Sequence, residues 1–192
     1  MNTEIARFPA AYALIEEATR QADFSMASDA LTGSLLRTLA ATKPGGRLLE
    51  LGTGTGLSTS WILDGMDAAA TLTSVDNAPE YLAIARTYLG HDPRLTLIEA
   101  DGGAWFEENL HERFDYIFAD TWHGKYLLLD EALAMLKPGG LYLIDDMLPQ
   151  PNWPEGHAEK ATRLLRALDQ RPDLWLTRQV WATGIVMGVK RP

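Results

Sequence analysis

The stretch Leu48–Gly56 reads LLELGTGTG and places three glycines at alternate positions directly after a short apolar run. The apolar run predicts a buried strand, and a helical pattern follows the last glycine. Glycines at such a turn let the backbone approach a ligand closely, and the free N–H groups that begin a helix attract a carboxylate or another anion. The stretch therefore predicts a ligand-binding loop between a strand and a helix, although a tight turn without a ligand would use the same glycines.

Short apolar runs alternate with helical patterns along the rest of the chain. The predicted strands are Arg47–Leu51, Thr71–Val75, Leu95–Ala100, Tyr116–Ala119 and Leu141–Ile144. Strands that alternate with helices favour a parallel sheet, in which ligands bind beyond the carboxyl ends of the strands. Two further alternating runs, 175–181 and 185–189, predict a hairpin at the end of the chain.

The helical patterns begin before the glycine stretch. Two helices are predicted within about residues 1–44, where Lys-Pro-Gly-Gly ends the second. Later helices are predicted over Pro79–Leu89, with Asn77 as its cap, over Lys125–Leu136 and over Ala158–Leu168. We therefore expect a single α/β domain over residues 1–192.

Composition narrows the class of protein. The 192 residues are 46% hydrophobic and 22% charged, and the formal net charge is −9. This charge disfavours nucleic acid and anionic membranes as partners. The absence of cysteine excludes disulfides and thiolate chemistry. Charged residues near the N-terminus argue against a signal peptide, and no stretch is long and apolar enough to span a membrane, so we expect a cytoplasmic protein.

The spacing of the glycines separates two families of cofactor-binding proteins. A dinucleotide fingerprint requires glycine at position 57, where this chain has Leu57, so NAD is disfavoured. The pattern E-x-G-x-G-x-G at 50–56 resembles the first motif of class I S-adenosylmethionine-dependent methyltransferases. Asp76 ends the second strand, where an acid can accept both ribose hydroxyls or simply cap a helix. Asp101 ends the third strand, where that superfamily often has an acid facing adenine, although it precedes two glycines and could belong to a turn.

This resemblance implies a Rossmann-like, doubly wound sheet of seven mostly parallel strands in the order 3-2-1-4-5-7-6, with the last strand antiparallel and helices on both faces. It also implies a site for S-adenosylmethionine. The candidate cofactor residues are Met26, Glu50, Gly52, Thr53, Gly54, Gly56, Ser58, Asp76, Asn77, Tyr81, Asp101, Gly102 and Asp120.

A second acidic group follows the fourth and fifth strands. Asp120 ends the fourth, and Asp145 and Asp146 end the fifth, so all three should emerge at the edge of the sheet that carries the glycine loop. Three unpaired carboxylates would repel one another, and a hard divalent cation would offset that repulsion. The three residues therefore predict a site for Mg²⁺, with Mn²⁺ or Ca²⁺ as alternatives; a helix cap and a solvated loop without metal would account for the same residues.

These strand ends resemble the small metal-dependent O-methyltransferases of the catechol and caffeoyl-CoA type. The segment FADTWHGKY at 118–126 is similar to the family's aspartate ligand, tryptophan and basic residues, and LIDD at 143–146 is similar to its second ligand pair. The family usually has Asp-Asn there, so Asp146 is a departure. Met26 and Tyr81 match residues near the family's substrate and cofactor.

The second resemblance implies O-methylation of a small-molecule hydroxyl, with the cation holding the acceptor oxygen. The family uses a lysine as a base close to the tryptophan; here His123 occupies that place, with Lys125 two residues later, so His123, Lys125 and Asp120 are the candidate catalytic residues. A solvated histidine and a lysine at a helix start are the alternatives. A metal-independent enzyme acting on nitrogen or a carboxyl, an aminopropyltransferase-like enzyme and a cofactor-binding module without turnover also remain open, as does a homodimer.

Overall fold

The computed structural model describes residues 4–150 and 153–192, whose strands form one seven-stranded sheet. The strands are β1 Arg47–Leu51, β2 Thr71–Asp76, β3 Leu95–Glu99, β4 Phe114–Ala119, β5 Leu136–Ile144, β6 Leu174–Gln179 and β7 Ile185–Lys190. The helices are α1 Tyr12–Gln21, α2 Ala30–Ala40, α3 Leu57–Gly65, α4 Pro79–Leu89, α5 Gly102–Asn109, α6 Leu129–Met135 and α7 His157–Asp169.

The order of the strands is β3-β2-β1-β4-β5-β7-β6, which confirms the predicted fold class. The central strand β1 pairs in parallel with β2 on one side and with β4 on the other. Strand β7 is antiparallel to both β5 and β6. Because β1, β2, β4 and β5 run in the same direction, their carboxyl ends open onto one edge of the sheet, where the order reverses around β1.

Helices cover both faces of the sheet, and the central strands are buried on both sides. In β1, Leu49 and Leu51 pack into a core with α5, α6 and α7. Leu48 points the other way, into a core that includes residues of α1, α2, α3 and α4. All three side chains are at most 1% exposed, as expected for a parallel strand between two helical layers. This double burial explains the continuous apolar run that precedes the glycines.

The predicted helix over 125–136 was wrong in its first part, because α6 begins only at Leu129. The residues before it form a tight turn in which the carbonyl of Trp122 accepts hydrogen bonds from the N–H groups of Lys125, Tyr126 and Leu127. Gly124 takes a positive φ of 81° inside this turn. The turn keeps residues 122–127 at the end of β4, beside the carboxyl edge of the sheet.

Two smaller features also differ from the sequence prediction. Ala78, not Asn77, is the N-cap residue of α4, and the carboxylate of Asp76 accepts the N–H of Ala78 at 2.9 Å. The segment 137–140 does not separate α6 from β5 but lies within β5, where the β4–β5 pairing is irregular. None of the helices formed by residues 4–150 and 153–192 combines the length and the apolar character needed to cross a bilayer.

Candidate active site

A cavity of about 590 Å³ lies beyond the carboxyl ends of the central strands. It is the place that the sequence analysis assigned to a ligand. Eleven of the predicted site residues line it, namely Met26, Gly52, Thr53, Gly54, Ser58, Asp76, Asn77, Tyr81, Asp120, Lys125 and Asp146. Six predicted site residues are not among those that line it, namely Glu50, Gly56, Asp101, Gly102, His123 and Asp145.

The glycine loop forms one wall of the cavity and depends on backbone conformations that favour glycine. Gly52, Gly54 and Gly56 have φ angles of 101°, 50° and 94°. A Cβ atom on Gly54 would lie 3.0 Å from the ring of Phe24, so the loop also needs the space that glycine leaves. The N–H of Gly54 donates to the carboxylate of Asp76 at 2.7 Å, which joins the ends of β1 and β2.

Glu50 lies beneath the loop rather than on the cavity wall. Its side chain is fully buried, and its carboxylate accepts hydrogen bonds from the hydroxyls of Ser58, Thr59 and Ser74 at 2.5–2.6 Å. Burial raises the pKa of Glu50 to about 7, although the three hydroxyls act in the opposite direction. Glu50 therefore links the start of α3 to β2 through hydrogen bonds and supports the glycine loop, which lies above it.

The segment between α1 and α2 covers the glycine loop from the other side. Phe24 packs on Tyr81 with ring centroids 4.3 Å apart, and Thr19 donates to the hydroxyl of Thr55 at 2.7 Å. Further along, the hydroxyl of Ser28 donates to Asp120 at 2.8 Å. Sequence reasoning missed Phe24 and Ser28, because a loop with no regular periodicity gives no signal of where it folds back.

The third predicted part of the cofactor site lies at the start of α5. Asp101 is exposed and is the N-cap residue of that helix, where its carboxylate accepts the N–H of Ala104 at 3.1 Å. His123 packs against the same turn, since a Cβ atom on Gly102 would lie 2.5 Å from its Nδ1. The structure thus places His123 beside α5, whereas Lys125 lines the cavity.

The three predicted metal ligands lie near one another, since the charges of Asp145 and Asp146 both act on Asp120, but they differ in their partners. Asp145 is 1% exposed, and its Oδ1 accepts hydrogen bonds from the hydroxyl of Thr183 at 2.6 Å and from the N–H of Asp146 at 2.8 Å. Its carboxylate therefore has partners in the interior, while Asp120 and Asp146 line the cavity. Within residues 4–150 and 153–192, no three His, Cys, Asp or Glu side chains form a group that could hold a metal ion. These side chains give no support to the three-aspartate metal site, which stays a prediction.

A lysine lies among these strand ends. The side chain of Lys125 is buried, and its Nζ donates to the carbonyl oxygen of Asp145 at 2.6 Å. Burial, together with the nearby charge of Asp145, raises the pKa of Asp120 well above its ordinary value, whereas the ammonium of Lys125 acts to lower it. Part of the acidic charge at the sheet edge is thus balanced by a residue of the chain itself.

Aromatic side chains wall the far end of the cavity. Trp122, Tyr126, Trp153 and His157 all line it. His157 packs on Trp153 with ring centroids 4.5 Å apart, and its Nε2 lies 3.0 Å from the hydroxyl of Tyr126. Burial lowers the pKa of His157, which favours the neutral imidazole near pH 7. The sequence pattern at 118–126 includes Trp122 and Tyr126, but His157 was missed, because only the tertiary fold brings the start of α7 to the end of β4.

Comparison with protein families identifies the family to which this part of the chain is similar. A family model described as "Methyltransferase domain" matches residues 49–147, which run from the glycine loop through the acidic end of β5. This chain belongs to the methyltransferase domain family. The matched range includes the glycine loop, Asp76 and the three aspartates at the ends of β4 and β5. Membership of the family therefore agrees with the resemblance seen at residues 50–56.

Curated relatives carry a more specific name. A protein of Mycobacterium avium with the provisional name O-methyltransferase is 32% identical over 119 residues, which cover 58% of this chain and 53% of the relative. A second, from Mycobacterium sp. strain KMS with the same provisional name, is 30% identical over 138 residues, covering 68% of this chain and 63% of the relative. The matched part of the chain thus spans between half and two thirds of the length of these relatives.

Solved structures share the fold of the methyltransferase domain. The O-methyltransferase of Bacillus cereus, solved in complex with S-adenosylhomocysteine, superposes with a TM-score of 0.83 at 18% identity, covering 97% of this chain and 93% of the other. TomG of Streptomyces achromogenes, an O-methyltransferase solved with S-adenosylmethionine, gives a TM-score of 0.81 at 21% identity, covering 97% and 92%. At these identities the likeness supports the shared fold.

Proposed function

We propose that this chain is an S-adenosylmethionine-dependent methyltransferase that transfers a methyl group to a hydroxyl oxygen of a small molecule in the cytoplasm. One observation carries the proposal: a single cavity joins the glycine loop and Asp76 at one end to Asp120, Lys125 and His157 at the other. Such a cavity can hold a methyl donor and an acceptor side by side. Its placement at the point where the strand order reverses is typical of cofactor sites in open α/β sheets.

The residues at the first end fit the donor. The glycine loop leaves a surface without Cβ atoms, suited to the methionine part of the cofactor, and Asp76 has acceptor oxygens for ribose hydroxyls. In the structure Asp76 bonds the N–H groups of Gly54 and Ala78. These bonds fix the carboxylate at the cavity wall, and a carboxylate oxygen can accept more than one hydrogen bond.

The cofactor supplies an activated methyl group on a positively charged sulfur. An electron pair of the acceptor oxygen forms the new bond to the methyl carbon, the carbon–sulfur bond breaks with its pair going to sulfur, and the acceptor proton is released. Binding both molecules in one cavity supplies much of the rate enhancement, because the three reacting atoms must lie in line. The chain's own task is then to orient the acceptor and to take its proton.

His157 is our proposed proton acceptor. It is a neutral imidazole at the acceptor end of the cavity, bonded to Tyr126, whose own pKa is raised to about 12 by burial and by the charge of Asp146. Because Nδ1 of His157 is buried and Nε2 meets the hydroxyl of Tyr126, the acceptor's proton passes to the oxygen of Tyr126 as Tyr126 gives its own proton to Nε2. Tyr126 is thus protonated before and after the transfer, and it orients the imidazole. His123, the base suggested by the sequence, packs on α5 and does not line the cavity.

Calorimetric titration with S-adenosylhomocysteine tests the cofactor half of the proposal. We expect Asp76→Asn to weaken binding by about ten- to a hundredfold, because it removes a charged acceptor of hydrogen bonds. The matched control is Asp169→Asn, which should bind S-adenosylhomocysteine like the wild type. Asp169 lies at the end of α7 and is not among the residues lining the cavity.

Transfer of a labelled methyl group to a panel of phenols, carboxylic acids and amines tests the reaction. Label recovered on phenolic oxygen supports the proposal. Transfer to nitrogen or carboxyl instead would reassign the acceptor, and cofactor binding without transfer to any acceptor would indicate a cofactor-binding module.

A further inference from the structure

The ends of β4 and β5 carry three acidic side chains, yet a basic group of the chain, Lys125, lies near enough for its charge to act on two of them. We propose that the ammonium of Lys125 takes the place of a divalent cation in this site and binds the reacting oxygen of the acceptor. This inference rests on the proposed methyl transfer and goes further by naming the group that holds the acceptor and the kind of acceptor it can hold.

The backbone around Lys125 is built to send this side chain inward. Gly124 precedes it with a positive φ, and a Cβ atom there would lie 2.6 Å from Leu51 and 3.1 Å from the hydroxyl of Tyr142. The same hydroxyl donates to the carbonyl of Gly124. Since this part of the turn is held against β1 and β5, Lys125 enters the protein at the sheet edge and is only 5% exposed.

The ammonium of Lys125 has N–H donors that are not used within the described part of the protein. A lysine has three N–H groups, and one of them donates to the carbonyl of Asp145 at 2.6 Å. Among the described residues, no other atom accepts a hydrogen bond from the Nζ of Lys125, and its side chain lines the cavity together with Asp120 and Asp146. The remaining N–H groups can therefore meet a ligand oxygen in the cavity.

Two of the three carboxylates have hydrogen-bond partners within the protein. Asp145 has its Oδ1 bonded to Thr183 and to the N–H of Asp146, so this carboxylate serves the interior. Asp120 is bonded by Ser28 and lies close enough to Lys125 for the positive charge to act on its ionisation. A divalent ion placed here would meet the ammonium as a like charge at short range, which is unfavourable.

The chemistry of an ammonium restricts the acceptor differently from a metal ion. A divalent cation can chelate two neighbouring oxygens of a substrate, whereas one ammonium binds oxygens singly as a point charge. An acceptor with a single ionisable hydroxyl, such as a monohydroxylated phenol, therefore suffices for this site. A vicinal pair of hydroxyls is not required.

Binding of Mn²⁺, followed by electron paramagnetic resonance with and without S-adenosylhomocysteine, tests the replacement directly. We expect Lys125→Met to bind Mn²⁺ at least about tenfold more tightly than the wild type, because it removes a like charge from the acidic strand ends. Lys160→Met is the matched control: its Nζ lies over the ring of Trp122, it does not line the cavity, and it should behave like the wild type. Equal Mn²⁺ binding by Lys125→Met and the wild type, whether both bind the ion or neither does, overturns the proposal.

Unchanged affinity for S-adenosylhomocysteine shows that the Lys125→Met protein is folded. If that variant does not fold, Lys125→Gln keeps a donor for the carbonyl of Asp145, removes the charge and is read in the same way. Failure of the wild type to bind S-adenosylhomocysteine would instead refute the proposed function, and the Mn²⁺ comparison without the cofactor still decides the role of Lys125. In turnover, wild-type methyl transfer to a monohydroxylated phenol should be unaffected by EDTA; its loss with EDTA and recovery with Mg²⁺ overturns the proposal.

Discussion

The buried carboxyl of Glu50 makes the stability of this protein depend on pH in an unusual direction. Its pKa rises from 4.5 to about 7 on folding, chiefly because burial disfavours the charged form. A group whose pKa is raised in the folded state holds its proton there while the unfolded chain has already lost it. The folded protein should therefore lose stability as the pH rises from about 4.5 to 7.

The size of the effect follows from that shift. A change from 4.5 to about 7 corresponds to about 3.4 kcal/mol, at about 1.4 kcal/mol for each pKa unit. By linkage, about 2.5 kcal/mol of this loss falls between pH 5 and pH 8. Glu50→Gln keeps the shape of the side chain but cannot ionise, so it should escape this loss.

Urea unfolding of the wild type and Glu50→Gln at several pH values between 5 and 8 measures the difference. Subtracting one free energy of unfolding from the other cancels the contributions of the remaining titratable groups. We expect the variant to gain about 2.5 kcal/mol relative to the wild type over this range. The exposed Glu107→Gln should show a flat difference, and a flat difference for Glu50→Gln as well would refute our account of the buried carboxyl.

Two further substitutions test the packing and the proton transfer. Gly33→Ala should destabilise the protein by about 1–3 kcal/mol, because the new Cβ would lie 2.2 Å from the buried ring of Trp61. If urea unfolding shows the variant to be as stable as the wild type, α2 does not pack closely on α3 at this position. His157→Gln should lower methyl transfer by about a hundredfold or more without weakening S-adenosylhomocysteine binding. In the wild type, whose His157 has a lowered pKa, the rise of kcat/KM with pH should lie below the usual histidine value; the same rise in His157→Gln would exclude this residue as the base.

Much of the fold could be predicted from the sequence because its signals are local. The run before Gly52 is apolar at almost every position, as double burial requires, and the three glycines occupy positions where φ is positive. The strand order came from the family resemblance carried by that motif, and the sheet has the same order. The placement of Asp76 beside Gly54 followed from the convergence of parallel strand ends.

The acceptor end could not be predicted in the same way, because it is assembled from distant parts of the chain. His157 begins α7 and meets Tyr126, 31 residues earlier, only after the sheet has formed. Thr183, from the loop between β6 and β7, reaches back 38 residues to bond Asp145. No periodicity in the sequence indicates such contacts. From the sequence alone the three aspartates therefore have the same predicted role, although Asp145 is bonded in the interior while Asp120 and Asp146 line the cavity.

The adjacent residues Asp145 and Asp146 occupy different environments because of one local backbone conformation. Asp146 has a φ of 58°, an uncommon conformation for a residue with a side chain, although aspartate tolerates it better than most. Its N–H donates to the carboxylate of Asp145, which Thr183 bonds in turn, so the left-handed turn is held in place by the buried carboxylate beneath it. Strain of this kind persists where the surroundings determine it and is concentrated at functional sites. Here its effect is that Asp146 lines the cavity while Asp145 stays in the interior, which leaves Lys125, with its Nζ on the Asp145 carbonyl, as the cation at the acceptor end.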